Sequence, residues 1–178
     1  MFLDGYLGPW SGKALRHFPD MPAIDPMNFD NCGKSAENRW NVPGERTLYL
    51  ASSKAVALGE FARHLDEARS PGMRAGMRPR IVFSFSLSFS SALDLRDPLV
   101  CGELGLDPMT LMQDRPKARA LAQFVRTLTE AQALLVPSMA FLDEMARHWN
   151  IVVFLEKLAP DPRACISAPT ADGRFEIK

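Results

Sequence analysis

Ile81-Val82-Phe83-Ser84-Phe85-Ser86-Leu87-Ser88-Phe89-Ser90 alternates large apolar with mostly small polar side chains over ten residues. Successive side chains of an extended strand point to opposite faces. Ile81, Phe83, Phe85, Leu87 and Phe89 therefore fill one face, and the serines at 84, 86, 88 and 90 the other. A strand that is apolar on one side only suits an antiparallel sheet packed on one face. Leu93-Asp94-Leu95 extends the pairing.

Upstream, Thr47–Ala51 (TLYLA) reads as a short strand, with Tyr49 on the side of Thr47 and Leu48 and Leu50 opposite. Ser52 or Ser53 caps a helix predicted to run to about Arg69. Its expected apolar stripe is Ala55, Leu58, Ala62 and Leu65, which puts Glu60 and His64 together on the opposite face. Gly59 inside that helix costs roughly 1 kcal/mol against Ala, so something is expected to pack close to the backbone there. Four prolines within residues 1–38 point to an irregular N-terminal arm with one short helix around Ser11–His17.

Downstream, residues 70–79 form a Gly/Pro/Arg loop, and residues 96–115 another with a short helix near Met109–Gln113. Lys117–Gln132 reads as a helix with Leu121, Val125 and Leu128 inward. Leu134–Val136 is a buried strand that stops at Pro137-Ser138, and Ile151–Leu155 is another. The rest is loop-like, with a last strand at Arg174–Ile177. Strands and helices mix without βαβ alternation, so an α+β fold is expected. The expected organisation is a single domain over 1–178, with a core at 39–155 and a C-terminal extension at 156–178.

The 178 residues hold 21 Lys+Arg and 21 Asp+Glu, a net charge of zero that speaks against a nucleic-acid coat or a polybasic membrane binder. The opening MFLDGYLGPW has neither a basic region nor a sustained apolar run, and no stretch approaches a membrane span, so a cytoplasmic protein is expected. Cys32, Cys101 and Cys165 are widely spaced with no C-x-x-C, which argues for reduced thiols rather than zinc or a disulfide framework. Phosphate-loop, dinucleotide, zinc-protease and nucleophile-elbow motifs are absent.

What remains is a set of residues at structural transitions. Arg39-Trp40 lies in a turn-rich loop ahead of the TLYLA strand, Tyr49 on that strand, Glu60 on the following helix and Ser138 just past a strand end. Read alone, each has a plain alternative: a surface arginine, a core tryptophan, a solvated carboxylate, a turn serine.

The run NRWNVPGERTLYLASSKAVALGEFARHL (38–65) resembles the opening of RES-domain proteins, the toxins of RES–Xre toxin–antitoxin pairs. SALDLRDP (91–98) with the later LGL, LLVPSMA (134–140) and NIVVFL (150–155) is similar to that family as well. The resemblance implies that Arg39, Glu60 and Ser138 are the R, E and S of the name. It implies an ADP-ribosyltransferase-like fold, with a mixed or antiparallel sheet core and flanking helices around an NAD cleft. It implies NAD as substrate, cleaved at the nicotinamide–ribose bond by phosphorolysis or hydrolysis, or used to ADP-ribosylate a protein. The implied partner is an Xre-type antitoxin, in a complex that has room for a toxin homodimer.

The residue chemistry agrees. Loss of nicotinamide passes through an oxocarbenium-like state, which a carboxylate such as Glu60 stabilises. The planar fork of Arg39 suits a pyrophosphate or ribose edge. Trp40 and Tyr49 offer flat faces, Ser138 and Ser53 offer hydroxyls, and His64 lies one turn past Glu60. The leaving group departs neutral, so no metal is expected. The competing reading is a catalytically inactive module of the same fold that only binds a partner.

Overall fold

The computed structural model describes residues 2–67, 77–158, 160–167 and 169–176. The last two residues expected in the first helix, most of the 70–79 loop, and Ile177 of the expected last strand lie outside these. The serine-alternating strand is β3, Arg80–Asp94. Phe85, Leu87 and Phe89 are buried on one face, and Ser86, Ser88 and Ser90 are exposed on the other.

The expected irregular arm is corrected here. Residues 7–19 form β1 (Leu7–Pro19), antiparallel to β3 from Leu7↔Leu93 to Pro19↔Arg80, and Ser11–His17 is strand, not helix. The ladder tolerates both prolines by position: the register breaks between Gly8 and Trp10, where Pro9 sits, and Pro19 ends the strand. The rest of the arm, from residue 20 to β2, is turns and bends.

β2 (Thr47–Ala51) pairs antiparallel with β5 (Trp149–Phe154), and β5 with β4 (Ala133–Pro137). β4 alone runs parallel, beside the end of β3 at Ala92–Asp94. One pairing, Leu15↔Ala51, joins β1 to β2 and closes a ring of five strands, β1-β2-β5-β4-β3. β6 (Thr170–Phe175) pairs with the head of β3, so the expected C-terminal extension is part of the sheet. The fold is α+β with a mixed, largely antiparallel sheet.

β4 and β5 are apolar on both faces because both are covered. Leu135, Ile151 and Val153 join Phe85 and Phe89 in one core cluster. Leu134, Val136, Val152 and Phe154 face the other, against helices α2 (Pro98–Glu103), α3 (Pro108–Gln113) and α4 (Arg115–Leu128). Each of these helices begins at an aspartate whose side chain accepts a backbone N–H (Asp97, Asp107, Asp114), with a proline in the first turn. α2 lies in a stretch expected to be loop.

In α4 the buried face is Ala118, Ala122, Val125 and Arg126, while Leu128 is 52% exposed rather than inward. The helix is turned by Arg126, whose guanidinium donates to Thr47 Oγ1 (2.7 Å), pairs with Glu156 and lies 4.3 Å from the Phe154 ring centre. A buried cation needs such partners, and they set the rotation.

α1 (Lys54–Glu67) is capped by Ser53 Oγ, which accepts from Val56 N. Its buried residues are Val56 and Ala57; Ala55 and Ala62, expected inside, are exposed. Gly59 explains the shift. A Cβ there would stand 2.7 Å from the Phe141 ring and 3.1 Å from Ala140 Cβ. The glycine lets the segment after β4 lie against the helix backbone. Gly59→Ala should therefore destabilise the protein by about 1–3 kcal/mol through overpacking, against a helix-propensity gain of about 1. Thermal melts check this; a higher melting temperature would show that Phe141 moves aside freely.

Candidate active site

A cavity of about 370 Å³ opens between α1, β1, β2 and the loop that precedes β2. Among the residues singled out in the sequence, Arg39, Trp40, Tyr49, Glu60 and His64 line it. Ser138 does not line it; the residue is fully buried behind Glu60.

Glu60 is the best-defined group. Oε1 accepts from Ser138 Oγ at 2.7 Å, Met139 N at 2.8 Å and Asn150 Nδ2 at 3.0 Å. Oε2 accepts from Nε and Nη2 of Arg63, both at 3.1 Å. The side chain is 19% exposed. Burial alone would raise its pKa. The Ser138 hydrogen bond, the Arg63 charge and the Asn150 hydrogen bond outweigh burial and hold it below the usual carboxylate range. Glu60 is thus an ionised carboxylate on the inner side of α1, not a solvated one on its outer face. The cation on it is Arg63, three residues along, rather than His64 at four.

The opposite wall hangs on Tyr49 and Asn41. Tyr49 O–H donates to Asn41 Oδ1 (2.8 Å) and its oxygen accepts from Trp40 N (3.0 Å). Asn41 Nδ2 donates to the carbonyls of Gly33 (2.9 Å) and Val42 (2.7 Å). Burial pushes the Tyr49 hydroxyl well above its usual range, so it remains a neutral donor. From α4, Arg119 donates to the carbonyls of Ala36 and Asn38, and Arg115 pairs with Glu37 at 2.7 Å. These contacts fix the backbone on both sides of Arg39. Asp114, the cap of α4, lies within electrostatic reach of Arg39.

Trp40 is only 3% exposed and packs in the core cluster with Leu93, Val152 and Phe154, so the core-tryptophan reading describes it. Ser53 is spent on the helix cap and is not on the cavity wall. Ser138 has its proton on Glu60 and its oxygen accepting from Ala140 N (3.2 Å), which makes it a group that positions Glu60.

Sequence reasoning missed Asn150, Arg63 and a cluster on the β1 side. There His17 Nδ1 accepts from Arg80 Nε (3.1 Å) and Nη2 (2.9 Å). The His17 ring is 4.6 Å from Phe61, and the Arg80 guanidinium lies 4.8 Å from the same ring centre. Burial, with the charges of Arg80 and Arg16, pulls the His17 pKa down to about 4. A polar residue opening a buried strand was the one available signal for Asn150. His17 and Arg80 gave none, being 63 residues apart.

Because folding lowers the Glu60 pKa, its stabilising contribution is present above the unfolded value of 4.5 and is lost as pH falls through the folded value. Glu60→Gln should cost about 1–3 kcal/mol at pH 7, and the gap to wild type should narrow as pH falls below 4.5. Urea melts at pH 7 and pH 3.5 check both. A gap as wide at pH 3.5 as at pH 7 would mean that packing, not charge, is lost.

Among the described residues no three His, Cys, Asp or Glu side chains gather to hold a metal, and no helix is long and apolar enough to cross a membrane. No curated protein sequence matches the chain. Its fold is similar to that of a chain in the crystal structure of the M. tuberculosis MbcT–MbcA toxin–antitoxin complex, with a TM-score of 0.69 at 19% identity, covering 99% of this chain and 90% of that one. The family model of the RES domain matches residues 14–177 and so takes in the second half of β1 and all of β6. With nearly its whole length inside that match, the chain belongs to the RES-domain family.

Proposed function

We propose that the chain is the toxin of a toxin–antitoxin pair and consumes NAD by breaking the nicotinamide–ribose bond. The observation that carries this reading is a carboxylate kept ionised at the wall of a cavity otherwise rich in arginine. Nicotinamide leaves as a neutral base and the positive charge moves onto the ribose. A fixed negative charge beside C1′ stabilises that state, and no protonation of the leaving group is needed.

Glu60 already accepts five hydrogen bonds. A carboxylate offers about four lone-pair sites, so no strong acceptor is left for a ribose hydroxyl. Glu60 therefore acts through its charge, held in place by Ser138, Asn150 and the Met139 N–H, and Arg39 across the cavity binds the nucleotide. Tyr49 shapes the wall through its hydroxyl. The acceptor of the ADP-ribosyl group is water, phosphate or a protein side chain.

An enzyme that drains its host's NAD needs restraint, which supports a cognate antitoxin of the Xre type that covers the Arg39–Glu60 cavity in the cytoplasm. The solved structure of similar fold is a toxin–antitoxin complex. This agrees with the reading at the level of fold.

Purified protein incubated with NAD, with and without phosphate, should release nicotinamide, and the mass of the ADP-ribosyl product names the acceptor. Glu60→Gln should lower release at least about 100-fold, as removal of a transition-state electrostatic contact does. Absence of release from wild-type protein, with growth unaffected by its expression, would favour the inactive binding module.

A further inference from the structure

Arg16, on β1, and Arg80, at the head of β3, both line the cavity. The β1–β3 register sends them to opposite faces of the sheet: Arg16 pairs with Phe83, whereas Arg80 pairs with Pro19 on the face that carries His17. The other cavity arginines at 63 and 115 are matched to Glu60 and Glu37. Arg16 and Arg80 have no carboxylate partner among the described residues. Arg16 Nη1 reaches Cys32 Sγ at 3.5 Å and its guanidinium lies 5.0 Å from the Phe18 ring centre; Arg80 donates twice to His17 Nδ1. Arg80 is therefore a partly desolvated cation in the cavity wall that lacks an anion. An anionic ligand completes that balance.

The Arg80 side chain is also pre-set. Two N–H groups converge on one ring nitrogen, and the aromatic face of Phe61 supports the guanidinium plane. With Nδ1 accepting, the proton of His17 sits on Nε2. Phe61 follows Glu60 directly in α1, so the support under Arg80 and the charged carboxylate are carried by adjacent residues.

We propose that Arg80, oriented by His17, binds a phosphate group in the cleft. Resting on the reading above, that phosphate belongs either to the diphosphate of NAD or to inorganic phosphate that accepts the ADP-ribosyl group. His17 is a positioning residue: it acts through Arg80. Its low pKa keeps Nδ1 available to the guanidinium throughout the neutral range.

Calorimetric titration of the full chain with ADP-ribose, and separately with inorganic phosphate, tests this without relying on turnover. Arg80→Met should weaken binding of at least one probe by about tenfold, the loss of one charge-assisted phosphate contact. Loss confined to ADP-ribose assigns the diphosphate; loss confined to inorganic phosphate assigns the acceptor. His17→Phe keeps a ring on Phe61 but removes the acceptor, and should weaken the same probe about fivefold. His17→Asn returns an acceptor near Nδ1 and should restore binding to within about twofold. A merely structural His17 predicts equal affinities for both folded variants, which would overturn the positioning role. If Arg80→Met does not fold, Arg80→Lys keeps the charge but not the paired bonds to His17, and should show the His17→Phe defect. Wild-type affinity for both probes in folded Arg80 variants, or no binding of either probe by wild type, overturns the site. Probe binding without nicotinamide release would instead sink the proposed reaction and leave the phosphate site standing.

Discussion

A carboxylate taken out of water must be resolvated by protein donors or lose its charge. Glu60 meets that requirement with donors from three places: Arg63 on its own helix, Ser138 and Met139 after β4, and Asn150 at the start of β5. The carboxylate thereby pins α1 to the ends of two neighbouring strands. Gly59 makes the approach close enough for those bonds, since any side chain there would meet Phe141. Helix placement, strand ends and the charge state of the site are thus one arrangement.

The same accounting holds the far side of the cleft. The loop before β2 is anchored in the core by Trp40 and otherwise fixed by polar contacts that saturate one another: Tyr49 to Asn41, Asn41 to Gly33, and Arg119 to two backbone carbonyls. Gly33 has φ +83, and an added Cβ would stand 1.8 Å from the Glu45 carbonyl oxygen, so this turn admits no other residue without rearrangement. Loop residues held this way present Arg39 from a rigid frame although they lie outside regular structure.

β3 was legible because its period-two pattern runs uninterrupted from Phe83 to Ser90, and β4 and β5 because unbroken Val/Leu/Ile runs mark strands buried on both faces. β1 was not. LGPWSGKALRHFP holds two prolines and two glycines, and only its long ladder with β3, a non-local contact, makes it a strand. The α1 stripe was displaced for a related reason: periodicity finds an apolar face, but Gly59 and Glu60 were placed inward by partners that local sequence does not contain. In the site, Glu60, Arg39 and Ser138 were reachable through family resemblance. Their division of labour, with Ser138 bound to Glu60 rather than lining the cavity, depends on geometry across the sheet.

The sequence separation of the Glu60 bonds has a consequence in time. Its Oε1 donors lie 78 to 90 residues further along the chain. At a synthesis rate of about 5–20 residues per second, about 4–18 s separate the emergence of α1 from that of its last donor. Throughout that interval the nascent chain carries the glutamate in water, with neither the neighbours nor the ring of strands that surround it in the finished fold. Closing such distant contacts is also the slow part of folding a sheet of this topology. The competent site is therefore born late and all at once, after nearly the whole polypeptide has been made.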